Sequence, residues 1–97
     1  MTEEELAANG YALFMGTGGC AGCHSIAGTP ATGDLGPNLT HLYSRSTFAG
    51  SIFDLNEENL RKWLRDPQAE KPGNKMQIRK LSEDEITQLI AYLETLK

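Results

Sequence analysis

The 97-residue chain contains no valine, although it holds 12 leucines and 5 isoleucines. Strands favour β-branched and aromatic residues. No strict apolar/polar alternation runs longer than a few residues, so the default expectation is helical. Aromatic residues are also scarce, at 7%, against ten glycines. A domain of this length buries about 60–70% of its unfolded surface. A core this thin usually needs a staple. No apolar run of 18 residues occurs, which excludes a transmembrane helix. There is no surplus of positive charge: Lys plus Arg number 9 against 13 for Asp plus Glu, a net charge of -4. That argues against nucleic acid as the main partner. Two cysteines are too few for a disulfide framework. The start, Thr2-Glu3-Glu4-Glu5, is acidic and lacks the basic and apolar regions of a secretory signal. The chain is therefore cytoplasmic, or has lost a signal, or is a domain cut from an exported protein. Its length predicts one domain, residues 1–97.

Three helices are legible. The first spans about Glu3 to Met15, with Leu6, Tyr11, Leu13 and Phe14 as its apolar residues. Gly10 lies inside it, and a helical Gly often marks the close approach of another backbone. The middle helix follows the N-cap Asn56 and ends before Pro67. Its apolar stripe is Leu60, Trp63 and Leu64. The last helix opens on a Ser82/Glu85 capping box and carries Ile86, Leu89, Ile90, Leu93 and Leu96 at helical spacing. Between the first two helices, residues 16–50 hold eight of the ten glycines, which predicts loop.

Cys20-Ala21-Gly22-Cys23-His24 is C-x-x-C-H, the attachment pattern of a c-type heme. Two cysteines three positions apart reach two vinyl groups on one porphyrin edge, and the following imidazole turns under the iron. Gly18, Gly19 and Gly22 let backbone lie against a flat macrocycle. A thioredoxin-like motif needs a βαβ context, which this chain lacks. A zinc site from Cys20, Cys23, His24 and His41 has poor spacing, because His24 adjoins Cys23. One covalent heme c is thus the expected cofactor, and iron the expected metal. Thioether formation implies an extracytoplasmic maturation route.

His24 is the expected proximal ligand. For the sixth position, Met76 lies in a Pro- and Gly-punctuated loop, whereas Met15 reads as core filler. His41 and an open iron remain alternatives. The Pro37 carbonyl, in Gly36-Pro37-Asn38-Leu39, is the expected acceptor for the second nitrogen of His24. Arg45, Trp63 and Tyr43 are candidate donors to the heme propionates, with surface charge and core packing as their ordinary readings. Residues 61–80 carry seven of the nine basic residues, a local +5 that either orients a partner or is a solvated face. Residues 16–33 carry no charge, which suits a small redox contact.

Together these residues resemble the class I c-type cytochromes. They run Gly10-x-x-x-Phe14, Cys20-x-x-Cys23-His24, Gly36-Pro37-Asn38-Leu39, the Met76 loop and a last helix with Ala91-Tyr92-Leu93. The resemblance implies an all-α fold of three to five helices around one heme, with the first and last helices crossing at Gly10 and Phe14 near Tyr92. It also implies His24/Met76 ligation. Thr40 to Arg45, Thr47 to Gly50, Trp63-Leu64, Asp66-Pro67-Gln68 and Lys71 to Met76 resemble, more narrowly, the cytochrome c domain fused to subunit II of caa-type heme–copper oxidases. Gln77 departs from that pattern, which has Pro after the Met. This narrower likeness implies electron transfer from a respiratory donor protein to an oxidase metal centre. The domain would be monomeric and soluble, its parent membrane-anchored and extracytoplasmic. No bond-making chemistry is expected of the domain alone. A free-standing periplasmic carrier is the runner-up, and a ligand-binding heme sensor the third reading.

Overall fold

A computed structural model describes residues 2–33, 36, 38–48, 53–73, 76 and 80–97. Four α-helices appear in chain order: α1 (Glu3–Met15), α2 (Glu57–Arg65), α3 (Pro67–Glu70) and α4 (Glu83–Leu93). Two short 3-10 turns, Cys20–Gly22 and Leu42–Ser44, lie in the loop between α1 and α2.

Local chemistry explains where the helices start. α4 begins with the expected box: Ser82 Oγ accepts the Glu85 amide at 3.1 Å, and Glu85 Oε1 accepts the Ser82 amide at 3.0 Å. α1 has the same device in Thr2 and Glu5, with Thr2 Oγ1 accepting the Glu5 amide at 3.1 Å. Asn56 caps α2 by accepting the Asn59 amide at 2.8 Å. Pro67 does end α2, and it also occupies the first turn of α3, where its missing N–H costs nothing. Asp66 Oδ1 caps that short helix through the Ala69 amide at 3.2 Å.

α1 and α4 form the core pair. A Cβ on Gly10 would overlap the Gln88 carbonyl oxygen and come within 2.8 Å of Tyr92 Cβ. The helices approach so closely that only hydrogen fits between them. Tyr92 then meets Phe14 edge-on at 5.8 Å and the exposed Tyr11 at 5.5 Å. Ile86, Leu89 and Ile90 are fully buried beneath. Leu96, beyond the end of α4, is buried as well, and its carbonyl accepts the Tyr43 amide at 2.6 Å.

The helical expectation omits one element. Thr47–Phe48 and Phe53–Asp54 form a two-residue antiparallel ladder, β1 and β2, with Thr47 opposite Asp54. Phe48 from this ladder packs edge-on against Trp63 at 6.0 Å, linking the loop to α2. Among the described residues no helix is long and apolar enough to cross a membrane.

Candidate heme site

The cysteine turn follows α1 directly. Gly18 and Gly19 turn the chain, Gly19 with φ of 72°, and the Cys20–Gly22 3-10 turn begins. A Cβ on Gly18 would sit 2.7 Å from the Leu13 carbonyl oxygen, so this glycine also answers to close backbone contact. Cys20 is buried and Cys23 exposed, and no disulfide joins them. His24 comes next, 8% exposed, a polar side chain set among apolar ones. A buried imidazole is unfavourable without a bonding partner. No buried side-chain nitrogen or oxygen among the described residues lacks a hydrogen-bond partner.

The exit from His24 is stitched to the following loop. The Gly36 amide donates to the Cys23 carbonyl at 2.7 Å, Leu39 to the Ser25 carbonyl at 2.9 Å, and Ala27 to Thr40 Oγ1 at 2.8 Å. Ser25 and Thr32 form an isolated antiparallel bridge. Two glycines make this return possible. A Cβ on Gly33 would fall 2.5 Å from the Cys23 nitrogen, and one on Gly36 would overlap His24 Cε1 and approach Nδ1 at 2.7 Å. The imidazole is thus held against bare backbone at Gly36. Spacing alone gives no sign of either contact. Pro37, the expected acceptor for His24, lies outside the described residues, as does Gln77.

Met76 packs against the apolar core, half-buried. Trp63 Nε1 donates to Met76 Sδ at 3.0 Å. The structure thus brings Trp63 and Met76 together. Met15 also packs on the core, in keeping with a filler role. His41 is exposed, and its Nδ1 donates to the Lys97 carbonyl at 3.0 Å, so one ring nitrogen is engaged at the chain's end. Arg45 Nη2 donates to the Asn38 carbonyl at 2.6 Å, bracing the loop that covers the His24 side. Tyr43 is half-buried, with its phenol held above the ordinary range by burial and by the charges of Glu94 and Glu57. It stays a protonated donor well past neutral pH.

The donor set suits a heme rather than a tetrahedral ion. Among the described residues no three His, Cys, Asp or Glu side chains gather as a metal cage. What gathers is one buried imidazole beside two cysteines on one turn, and a thioether in the same core. Three glycines next to these groups leave no room for a side chain.

Comparison with known proteins decides the family. Residues 7–97 match the cytochrome c family model. The chain belongs to the cytochrome c family. Heme-based electron transfer and a heme c cofactor come with that membership. The chain is 42% identical to cytochrome c oxidase subunit 2 of Bacillus sp. (strain PS3), over 97% of this chain but 27% of that protein. It is 41% identical to the subunit 2 of Alkalihalophilus pseudofirmus, with the same coverage. The chain thus spans about a quarter of these relatives' length. It is also 35% identical to cytochrome c2 of Blastochloris viridis, covering 91% of this chain and 76% of that one. A crystal structure of a c-type cytochrome from Sinorhizobium meliloti superposes with a TM-score of 0.67 over 96% of this chain, at 24% identity, and shows the same fold.

Geometry also revises the charge pattern of this cytochrome c. Arg61, Lys62 and Arg65 of the 61–80 stretch are paired. Arg65 meets Glu83 through two contacts, at 2.7 and 3.0 Å, Arg61 lies 3.6 Å from Glu83 and 3.8 Å from Glu57, and Lys62 lies 3.6 Å from Glu58. The local +5 is therefore partly neutralised by acids from α2 and α4. Half of the uncharged stretch is exposed: Gly16, Thr17, Gly19, Gly22, Cys23, Ala27, Gly28, Pro30 and Thr32.

Proposed function

We propose that the chain is the cytochrome c domain of a cytochrome c oxidase subunit II, receiving an electron from a respiratory donor and passing it to the oxidase's metal centre. The observation that carries this reading is the 41–42% identity to two oxidase subunits 2 over nearly the whole chain. Heme, when bound, supplies an iron that cycles by one electron between ferrous and ferric. In this reading Cys20 and Cys23 would hold it through thioethers, and His24 and Met76 would ligate the iron. The Pro37 carbonyl would orient His24, and Arg45 and Tyr43 would face the propionates, joined by Trp63 where the iron takes the Met76 sulfur from its indole N–H. Gly36 lets the imidazole seat, and the 23–27 to 36–40 hydrogen bonds keep it from swinging when the iron's charge changes. A stiff site suits electron transfer, because little rearrangement accompanies the change of charge. The exposed, uncharged rim around Cys23 is the contact face for the partner, small as redox contacts are. The domain works on the extracytoplasmic side of a membrane, on a membrane-anchored parent.

The test is mass analysis and potentiometry of the protein matured in a heme-attaching host. The expected result is one heme added through two thioethers, a single one-electron wave, and rapid transfer from the reduced domain to an oxidase copper domain. A protein that takes heme and cycles but does not reduce that copper domain belongs to a free carrier instead. The 35% identity to a cytochrome c2 favours that second reading.

A further inference from the structure

Met76 itself is in neither helix nor strand, yet it is held at two points. Trp63 holds the sulfur. Gln68 holds the backbone: its Nε2 donates to the Met76 carbonyl at 3.2 Å. The other end of the same amide accepts the Gly73 amide on Oε1, also at 3.2 Å. The orientation of the amide is dictated by its partners, since a backbone N–H needs an oxygen and a carbonyl needs an N–H. Gln68 itself is fixed in α3, which Pro67 and Asp66 start. Gly73 turns the chain with φ of 82°. One half-buried side chain therefore ties both Gly73 and Met76 to a short helix.

From this geometry we propose that Gln68 is the positioning residue for Met76: its side-chain amide ties the Gly73 and Met76 backbone to α3 and so presents the thioether to the iron. The proposal rests on the reading of Met76 as sixth ligand. Gln68 touches neither iron nor heme in this role. It acts by two hydrogen bonds on the backbone that carries the ligand. The amide has to both accept and donate, so a carboxylate of the same length keeps half the function. It still accepts from Gly73, but its second oxygen faces the Met76 carbonyl, and two acceptors repel. Protonation gives that oxygen an O–H and restores the donor.

The test uses the holoprotein with Gln68→Ala and Gln68→Glu, followed by the far-red sulfur-to-iron charge-transfer band of the ferric state and by imidazole binding. Gln68→Ala is expected to weaken the band, to admit imidazole about tenfold more tightly, and to speed exchange of the Gly73 amide. Gln68→Glu is expected to behave like Gln68→Ala at neutral pH, with a slow Gly73 amide. Its band then recovers as pH falls through the carboxyl range, while the parent and Gln68→Ala show no such recovery. The comparison across pH within one variant stands even if Gln68→Ala fails to fold. Parent-like band and imidazole affinity in Gln68→Ala, or a flat response in Gln68→Glu, overturns the proposal. Met76→Ala separates the two layers. If the band survives Met76→Ala, the ligand reading fails. If it vanishes there while both Gln68 variants match the parent, the positioning role alone fails.

Discussion

Gly36 is the residue where one methyl group has the most to reveal. Its missing Cβ is what lets the His24 ring approach the backbone so closely. Gly36→Ala forces the ring or the loop to move, and overpacking of this kind costs about 1–3 kcal/mol. The expected outcome is lower thermal stability of the holoprotein together with a changed ferric spectrum, since in the proposed reading His24 ligates the iron. A stable variant with the parent spectrum removes the seating argument. At this scale the sequence is partly transparent. Cys20, Cys23 and His24 are legible because the chemistry fixes their spacing. Gly33, Gly36 and Gln68 are not, because their contacts are made by segments that fold back from 10 and 12 residues away or close a loop. Trp63 is legible as an important aromatic, but its bond to Met76 Sδ is a tertiary fact.

Elements repeat the pattern. α1, α2 and α4 are legible because caps and apolar spacing are local signals. The Thr2/Glu5 box carries the same signature as Ser82/Glu85 and could have been found from it. α3 is hidden by Pro67, which reads as a stop although it is also a start. The β1–β2 ladder is too short for any period to show. What joins the elements is the α1–α4 contact, and it is tested at Gly10. Replacing Gly10 with a bulky residue drives a side chain into the Gln88 carbonyl. The expected loss is about 1–3 kcal/mol in denaturant unfolding of the holoprotein. Unchanged stability means that α1 and α4 can separate without consequence.

Over the whole molecule, the uneven charge becomes two opposed titrations. Burial first, and then the charges of Glu57 and Glu3, hold the Glu94 carboxyl above its usual range. A raised carboxyl favours the folded state while protonated, and that advantage is lost as pH rises through its folded value. Glu83 runs the other way. The Arg65 hydrogen bond holds it below the usual range, so its contribution is present above the unfolded value and is lost as pH falls through the folded one. Glu94→Gln is therefore expected to raise Tm at neutral pH and to leave it nearly unchanged in acid. A fall in Tm at neutral pH contradicts the acidic crowding of Glu94, Glu57 and Glu3. The thin, valine-free core has its explanation at this scale too. In the proposed reading, a heme held by Cys20, Cys23, His24 and Met76 would be the staple that composition calls for. Ligation of the iron by His24 and Met76 is read directly from the ferrous spectrum of the holoprotein, recorded with and without carbon monoxide. A six-coordinate spectrum that carbon monoxide leaves unchanged is expected where His24 and Met76 both ligate the iron. Avid binding of carbon monoxide by the folded protein contradicts it, and with it the electron-carrier reading.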